Sequence, residues 1–164
     1  MRDAKALLST FEMHAIVSVA DCSGNIIDVN PAFCEISGYA REELLGHNHR
    51  MVSSGTHPPE FWAAMWADIA TGKSWRADVC NRKKNGELYW VDNIVTPFLG
   101  EYGLVERYVS VRNDITARKS AELALAASEA FLVRAGRIAG VGGWRVDLVK
   151  GKIAWSKVTR QIHD

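Results

Sequence analysis

Residues 74–98 read SWRADVCNRKKNGELYWVDNIVTPF. Two apolar-rich runs flank KKNG, whose Asn-Gly pair carries the turn chemistry of a β-hairpin. In the first run Trp75, Ala77, Val79 and Asn81 alternate with Arg76, Asp78 and Cys80, so they share one face of a strand. If that face points inward, the row ends in a buried amide, and an unsatisfied amide costs roughly 1–3 kcal/mol. Two readings of Asn81 stand at this point. It meets a ligand with donors and acceptors on its edge, or it sits at the strand end and caps the hairpin turn. A two-residue Asn85-Gly86 turn sets Trp90 and Asp92 beside Asn81. A longer loop sets Tyr89, Val91 and Asn93 there instead.

Downstream, ERYVSVRNDI (residues 106–115) is a third strand, reached by a turn near residues 100–103. Upstream, AIVSVAD (15–21) and NIIDVN (25–30) are two strands joined at Ser23-Gly24. Asn30 suits an N-cap and Pro31 the first helical position, which predicts a helix carrying Phe33 and Ile36 and stopping near Gly38. A second short helix covers 40–45 and ends at Gly46. HNHRMVSSGTHPP (47–59) reads as a loop. PEFWAAMWADIATG (59–72) has Phe61, Trp62, Met65, Trp66 and Ile69 at helical spacing and closes at Gly72. The order β-β-α-α-α-β-β-β predicts an α+β domain: a five-stranded antiparallel sheet with helices packed on one face. Such a fold leaves a hollow where a ligand can replace core side chains. Residues 4–13 read as a further short amphipathic helix.

Composition narrows the function. The chain has 164 residues, 48% of them apolar, with 20 Lys and Arg against 19 Asp and Glu. That balance argues against a generic grip on nucleic acid or anionic membrane, and the basic Arg82-Lys83-Lys84 reads as a solvated turn. No apolar run approaches the roughly 20 residues of a membrane span, and the N-terminus is too polar for a signal peptide. Cys22, Cys34 and Cys80 are widely spaced with no CxxC, which points to a reducing, cytoplasmic setting rather than disulfides or zinc. The sequence holds no G-x-S-x-G elbow, P-loop or G-x-G-x-x-G, so an enzyme is not expected.

Three features keep a functional and a bland reading. Trp62 and Trp66 are core residues or a stacking platform. His47 and His49 form a solvated loop or a metal pair lacking a third ligand, or they supply a pocket-lining histidine that titrates near neutrality. Leu125 and Leu132, with Ala121, Ser128 and Ala135, form a weak coiled-coil seam or the surface of an ordinary helix.

DVNPAFCEISGYAREELLGHNHR (28–50), NRKKNGELYWVDNIVTPF (81–98) and YVSVRNDITARK (108–119) occur in the order and spacing of a PAS domain, which the chain resembles over about residues 5–119. The pairing of PPEFWAAMWADIATGKSW with VCNRKKNG is similar to the flavin-binding redox-sensor type. By that resemblance the protein is a sensory PAS domain of a bacterial two-component or related signalling protein, and it holds FAD, rather than FMN, without a covalent bond. Asn81 matches an asparagine on the isoalloxazine edge, Trp66 a helix tryptophan beside the ring, and Ser18 a serine at the pocket floor. Trp75 shares the face of Asn81, and Arg112 faces the pocket in one strand register. His49 falls where that type carries a glutamate, and its ordinary pKa makes it a candidate proton donor. The light-sensing flavin type carries cysteine where His49 stands in Gly46-His47-Asn48-His49-Arg50, so a cysteinyl-flavin photocycle is not expected. The long helix lacks the histidine of haem-binding members. The family pattern also favours the longer hairpin loop.

The resemblance implies a cap helix over 1–14, the PAS sensor over 15–116, a signalling helix over 117–136, and the start of a second, truncated PAS domain over 137–164. It further implies a homodimer through the N-terminal and linker helices, and a histidine kinase or diguanylate cyclase output domain in the parent chain. The alternatives are a cofactor-free PAS relay and a PAS pocket for a small metabolite.

Overall fold

The hairpin forms with the longer loop. Lys83 N–H donates to Glu87 O at 2.8 Å and Gly86 N–H to Lys83 O at 2.9 Å, so the turn closes inside residues 83–87. Strands β3 (Trp75–Arg82) and β4 (Leu88–Leu99) pair antiparallel, with Asn81 opposite Tyr89, Val79 opposite Val91 and Ala77 opposite Asn93. This register puts Tyr89, Val91, Asn93 and Val95 on the buried face of β4. The computed structural model describes residues 15–139, 144–147 and 152–155, with side-chain surroundings over 15–136. The helix expected over 4–13 lies outside the described residues.

Strand β5 (Val105–Asp114) pairs with β4 on one side and with β1 (Ile16–Ala20) on the other; β2 (Ile26–Val29) completes the sheet. The order is β2-β1-β5-β4-β3, antiparallel throughout, which is the expected α+β architecture. The crossover from β2 to β3 carries α1 (Pro31–Ser37), α2 (Arg41–Leu44), a 3-10 turn (His49–Val52) and α3 (Pro59–Ala70). Phe33, Leu44 and Val52 from this crossover pack on Ile16, Ile26, Val79, Tyr89 and Val91 of the sheet. Ile69 of α3 packs separately with Val95 and Tyr108.

The local signals act as the sequence predicts. Asn30 caps α1, its Oδ1 accepting from Phe33 N–H at 3.1 Å. The same oxygen accepts Val17 N–H at 2.9 Å, and Nδ2 donates to Ala15 O at 2.7 Å, so one side chain ties the helix to β1. Gly38 ends α1 with φ 74°, a conformation that costs side-chain-bearing residues. Within the expected loop 47–59 the 3-10 turn is the departure; four residues are too few to show a helical period.

The free edge of β3 is covered by that loop. Ser53 bridges Asn81, Ser54 Oγ donates to Cys80 O at 2.6 Å, and Cys80 N–H donates to His57 Nε2 at 2.8 Å. Edge strands invite foreign pairing, and this segment removes the opportunity beside Asn81.

The chain divides into two units, residues 1–117 and 118–164. Helix α4 (Thr116–Ala139) follows β5 and is slightly longer than expected; Leu123, Leu125 and Leu132 on it are exposed. Strands β6 (Trp144–Asp147) and β7 (Lys152–Trp155) form an antiparallel pair, as expected around Lys150-Gly151, while the helix start expected after them lies outside the described residues. Among the described residues no helix is long and apolar enough to cross a membrane.

Replacing Asn30 with alanine removes three hydrogen bonds at the joint of β1 and α1. The expected loss is about 2 kcal/mol in urea unfolding, seen as a lower midpoint with an unchanged slope. A midpoint that does not move contradicts the role given to Asn30.

Candidate functional site

Between α3, the 3-10 turn and the inner face of β3–β5 lies a cavity of about 560 Å³. That falls inside the roughly 300–1,000 Å³ range of small-molecule sites. Trp62, Met65 and Ile69 of α3 and Val52, Val79 and Val95 supply apolar wall. The sheet supplies something a dry core would not contain: Asn81, Asn93, Ser110 and Arg112 are all buried and all line the cavity.

Asn81 is buried on the inner face of β3, opposite Tyr89 of β4. The strand-end cap reading therefore gives way: Glu87 and Asn85, not Asn81, complete the hairpin turn. Burial pushes the Tyr89 phenol up to about 12, so it stays protonated. Asn93, opposite Arg112 in the β4–β5 ladder, has a buried Oδ1 with no hydrogen-bond partner.

Arg112 lies under the cavity with its guanidinium 5.1 Å from the Phe33 ring. Its Nη1 donates to Ser18 Oγ at 2.9 Å, and Ser18 Oγ lies 3.1 Å from His49 Nε2. Arginine only donates, so Ser18 accepts from it and has its own hydroxyl hydrogen left for the imidazole. The network thus assigns an unprotonated Nε2 to His49. The burial of Arg112 without a carboxylate lowers its pKa to about 10.

His49 lines the cavity but does not titrate near neutrality. Although a strip of the residue stays accessible, its imidazole is enclosed; burial first, and then the Arg112 charge, pull its pKa down to about 3. The expectation of a proton donor poised at physiological pH is corrected on that ground. His47, its neighbour in the H-x-H pair, is exposed, and no cluster of metal-ligating side chains occurs among the described residues.

The tryptophans separate. Trp66 lines the cavity at its rim, 37% exposed, with its ring edge-on to Tyr108 at 5.6 Å. A Cβ on Gly24 would stand 3.1 Å from the Trp66 ring, so that glycine, with φ 81°, lets the indole lie against the β1–β2 turn. Trp75 does not line the cavity. It stands opposite Val95 at the start of β3, and its indole packs edge-on to Phe61 at 5.3 Å, closing the gap between α3 and the sheet. Its assignment to the ligand site is corrected: alternation gives the face, not the distance along the strand. Ser18 is buried behind Arg112 and reaches the site through it. Ser110, Tyr108 and His57 line the cavity without having been singled out from the sequence.

A family model described as the PAS fold matches residues 26–112, more than half the chain. The chain belongs to the PAS family. The PAS domain is 36% identical over 106 residues to the nitrogen fixation regulatory protein of Klebsiella oxytoca, covering 65% of this chain and 21% of that one. It is 36% identical over 101 residues to the aerotaxis receptor of Escherichia coli (strain K12), covering 62% and 20%. The chain thus spans about a fifth of the length of these curated relatives. Among solved structures, an RNA-binding light-oxygen-voltage receptor superposes with a TM-score of 0.63 at 26% identity, covering 76% of this chain and 37% of that one. The relatives named here are regulators and receptors.

The depressed His49 pKa sets a pH dependence. Between 6.5 and about 3 the unfolded histidine binds a proton that the folded one refuses. Stability from this group is complete above 6.5 and falls as the pH drops toward 3, by an amount on the order of several kcal/mol at its full extent. His49→Gln removes that component, so its unfolding free energy declines less steeply over this window than that of the native chain. Equal slopes contradict an imidazole held neutral.

Proposed function

We propose that this PAS domain binds FAD non-covalently in the cavity and relays redox or oxygen status through β5 and α4 to an output domain. The observation that carries the reading is the cavity floor, where Asn81, Asn93 and Arg112 bring buried donors and acceptors to one apolar-walled space. The orphaned Asn93 Oδ1 is the test of fit. A ring system whose edge alternates N–H and carbonyl groups meets that oxygen, the Asn81 amide and the guanidinium together. Trp66 and Met65 line the cavity from α3 and would hold a ring placed there, and the Ser18–His49 pair holds Arg112 in place. A bound flavin supplies reversible electron chemistry, with ring-edge hydrogen bonding that differs between its redox states.

The β3–β4 ladder joins the site to the start of α4 in a few steps. Asn81 adjoins Cys80, which pairs with Trp90. Trp90 N–H donates to Thr116 Oγ1 at 3.0 Å, and Ile115 N–H donates to Trp90 O at 2.9 Å. Asp114 Oδ1 accepts Thr116 N–H at 2.8 Å and Thr116 Oγ1–H at 2.6 Å. Asp114-Ile115-Thr116 is thus a clasp fixing the first residue of α4 to the end of β5 and to β4. A change of partner at Asn81 or Arg112 shifts the strands that hold this clasp, and α4 is the two-state element biased. Exposed Leu125 and Leu132 suit a second copy of α4, giving a homodimer, with a histidine kinase or diguanylate cyclase as output.

The absorbance spectrum of the purified chain, with mass spectrometry of what denaturation releases, tests the reading. The expected result is the paired near-ultraviolet and blue bands of an oxidised flavin, released as FAD. Asn81→Ala weakens retention about tenfold, or roughly 1.4 kcal/mol. A colourless protein that fails to take up FAD, or the single intense band of haem, overturns it.

A further inference from the structure

Arg112 is buried, yet among the described residues no carboxylate pairs with it. Unpaired buried charge is among the most costly features a fold carries, and native structures ordinarily pair it. Its compensation here is partial: one N–H goes to the Ser18 hydroxyl and the ring face of Phe33 lies below. Arginine has five N–H donors, so most of its capacity is left for the cavity it lines.

The neighbours do not neutralise it. The His49 imidazole is uncharged, and the Tyr89 phenol keeps its proton. Arg50, at the mouth, is exposed and adds positive charge, with its Nε donating to Asn48 Oδ1 at 3.1 Å. Directly across the β4–β5 ladder stands Asn93, whose Oδ1 lacks a donor. Cross-strand partners on one face lie side by side. The floor therefore offers cationic donors without an anion next to a carbonyl without a donor.

We propose that Arg112 and Asn93 form a charge-selecting seat, Arg112 receiving an anionic atom of the ligand edge and Asn93 Oδ1 the N–H beside it. The ligand class is a planar heterocycle with an imide- or ureide-like edge that can carry a negative charge. Resting on the flavin reading above, the seat selects the redox state. Adding two electrons from an external reductant such as dithionite, with one proton from solvent, leaves the ring with one negative charge, which Arg112 stabilises. Reduced flavin then binds tighter than oxidised flavin, and the midpoint potential rises.

The test compares the native chain with Arg112→Gln and Arg112→Lys. Freed of cofactor, Arg112→Gln unfolds at a higher temperature than the native chain, because glutamine keeps a donor for Ser18 and removes the unpaired charge. Loaded with FAD, it loses at least tenfold of the preference for reduced over oxidised flavin, a fall of about 30 mV for a two-electron couple. Arg112→Lys restores most of that preference. A cofactor-free Arg112→Gln that is less stable or fails to fold overturns the seat, as does an unmoved potential. Should the native chain take up no flavin, the flavin reading fails alone, and the stability comparison still decides the seat.

Discussion

Antiparallel pairing places Asn93 opposite Arg112 and Ser18 opposite Ser110, and it turns all four toward the interior. This polar strip across the middle of the sheet is the constraint around which the domain is arranged. A face of that kind cannot be closed dry without leaving groups unpaired. The fold answers with two packed apolar groups at either end, one around Phe33 and Val91 and one around Ile69 and Tyr108. The cavity occupies the space between α3 and the strip. Ser18, itself held by His49, satisfies part of Arg112, while Asn93 Oδ1 stays open.

Much of this was legible in the sequence because it is written in local chemistry. Asn30-Pro31 and Gly38 bound α1, Pro59 and Gly72 bound α3, and period-two alternation identifies each strand. Asn81 stood out because it ends an apolar row, and the sheet does bury it beside Tyr89. What the sequence left open depends on distances between segments. The hairpin register turns on one Lys83–Glu87 backbone bond. Asn93 becomes informative only once Arg112 is known to face it. His49 carries no mark of enclosure in its own segment; the burial that lowers its pKa comes from strands and helices folded over it. Trp75 shares a face with Asn81 but stands six residues away along β3, outside the cavity.

Under the proposed function, recognition and transmission share the same strands. The cavity-lining Asn81, Asn93 and Arg112 lie on β3, β4 and β5, and the Asp114–Thr116 clasp ends β5 against Trp90 of β4. Loop 53–57 secures the outer side of β3 through Cys80 and Asn81. A ligand that binds only the folded chain would add to its stability through these same polar groups.

The central claim is that the buried polar strip is a ligand seat rather than an imperfect core. Trp62 and Trp66 line the cavity, so their emission reports its contents directly. Equilibrium titration of cofactor-free protein with FAD, followed by tryptophan fluorescence, measures occupancy. The expected result is saturable quenching with one flavin per chain, weakened in Asn81→Ala and Asn93→Leu. Emission that does not respond to FAD, or that responds equally in both variants and the native chain, contradicts it.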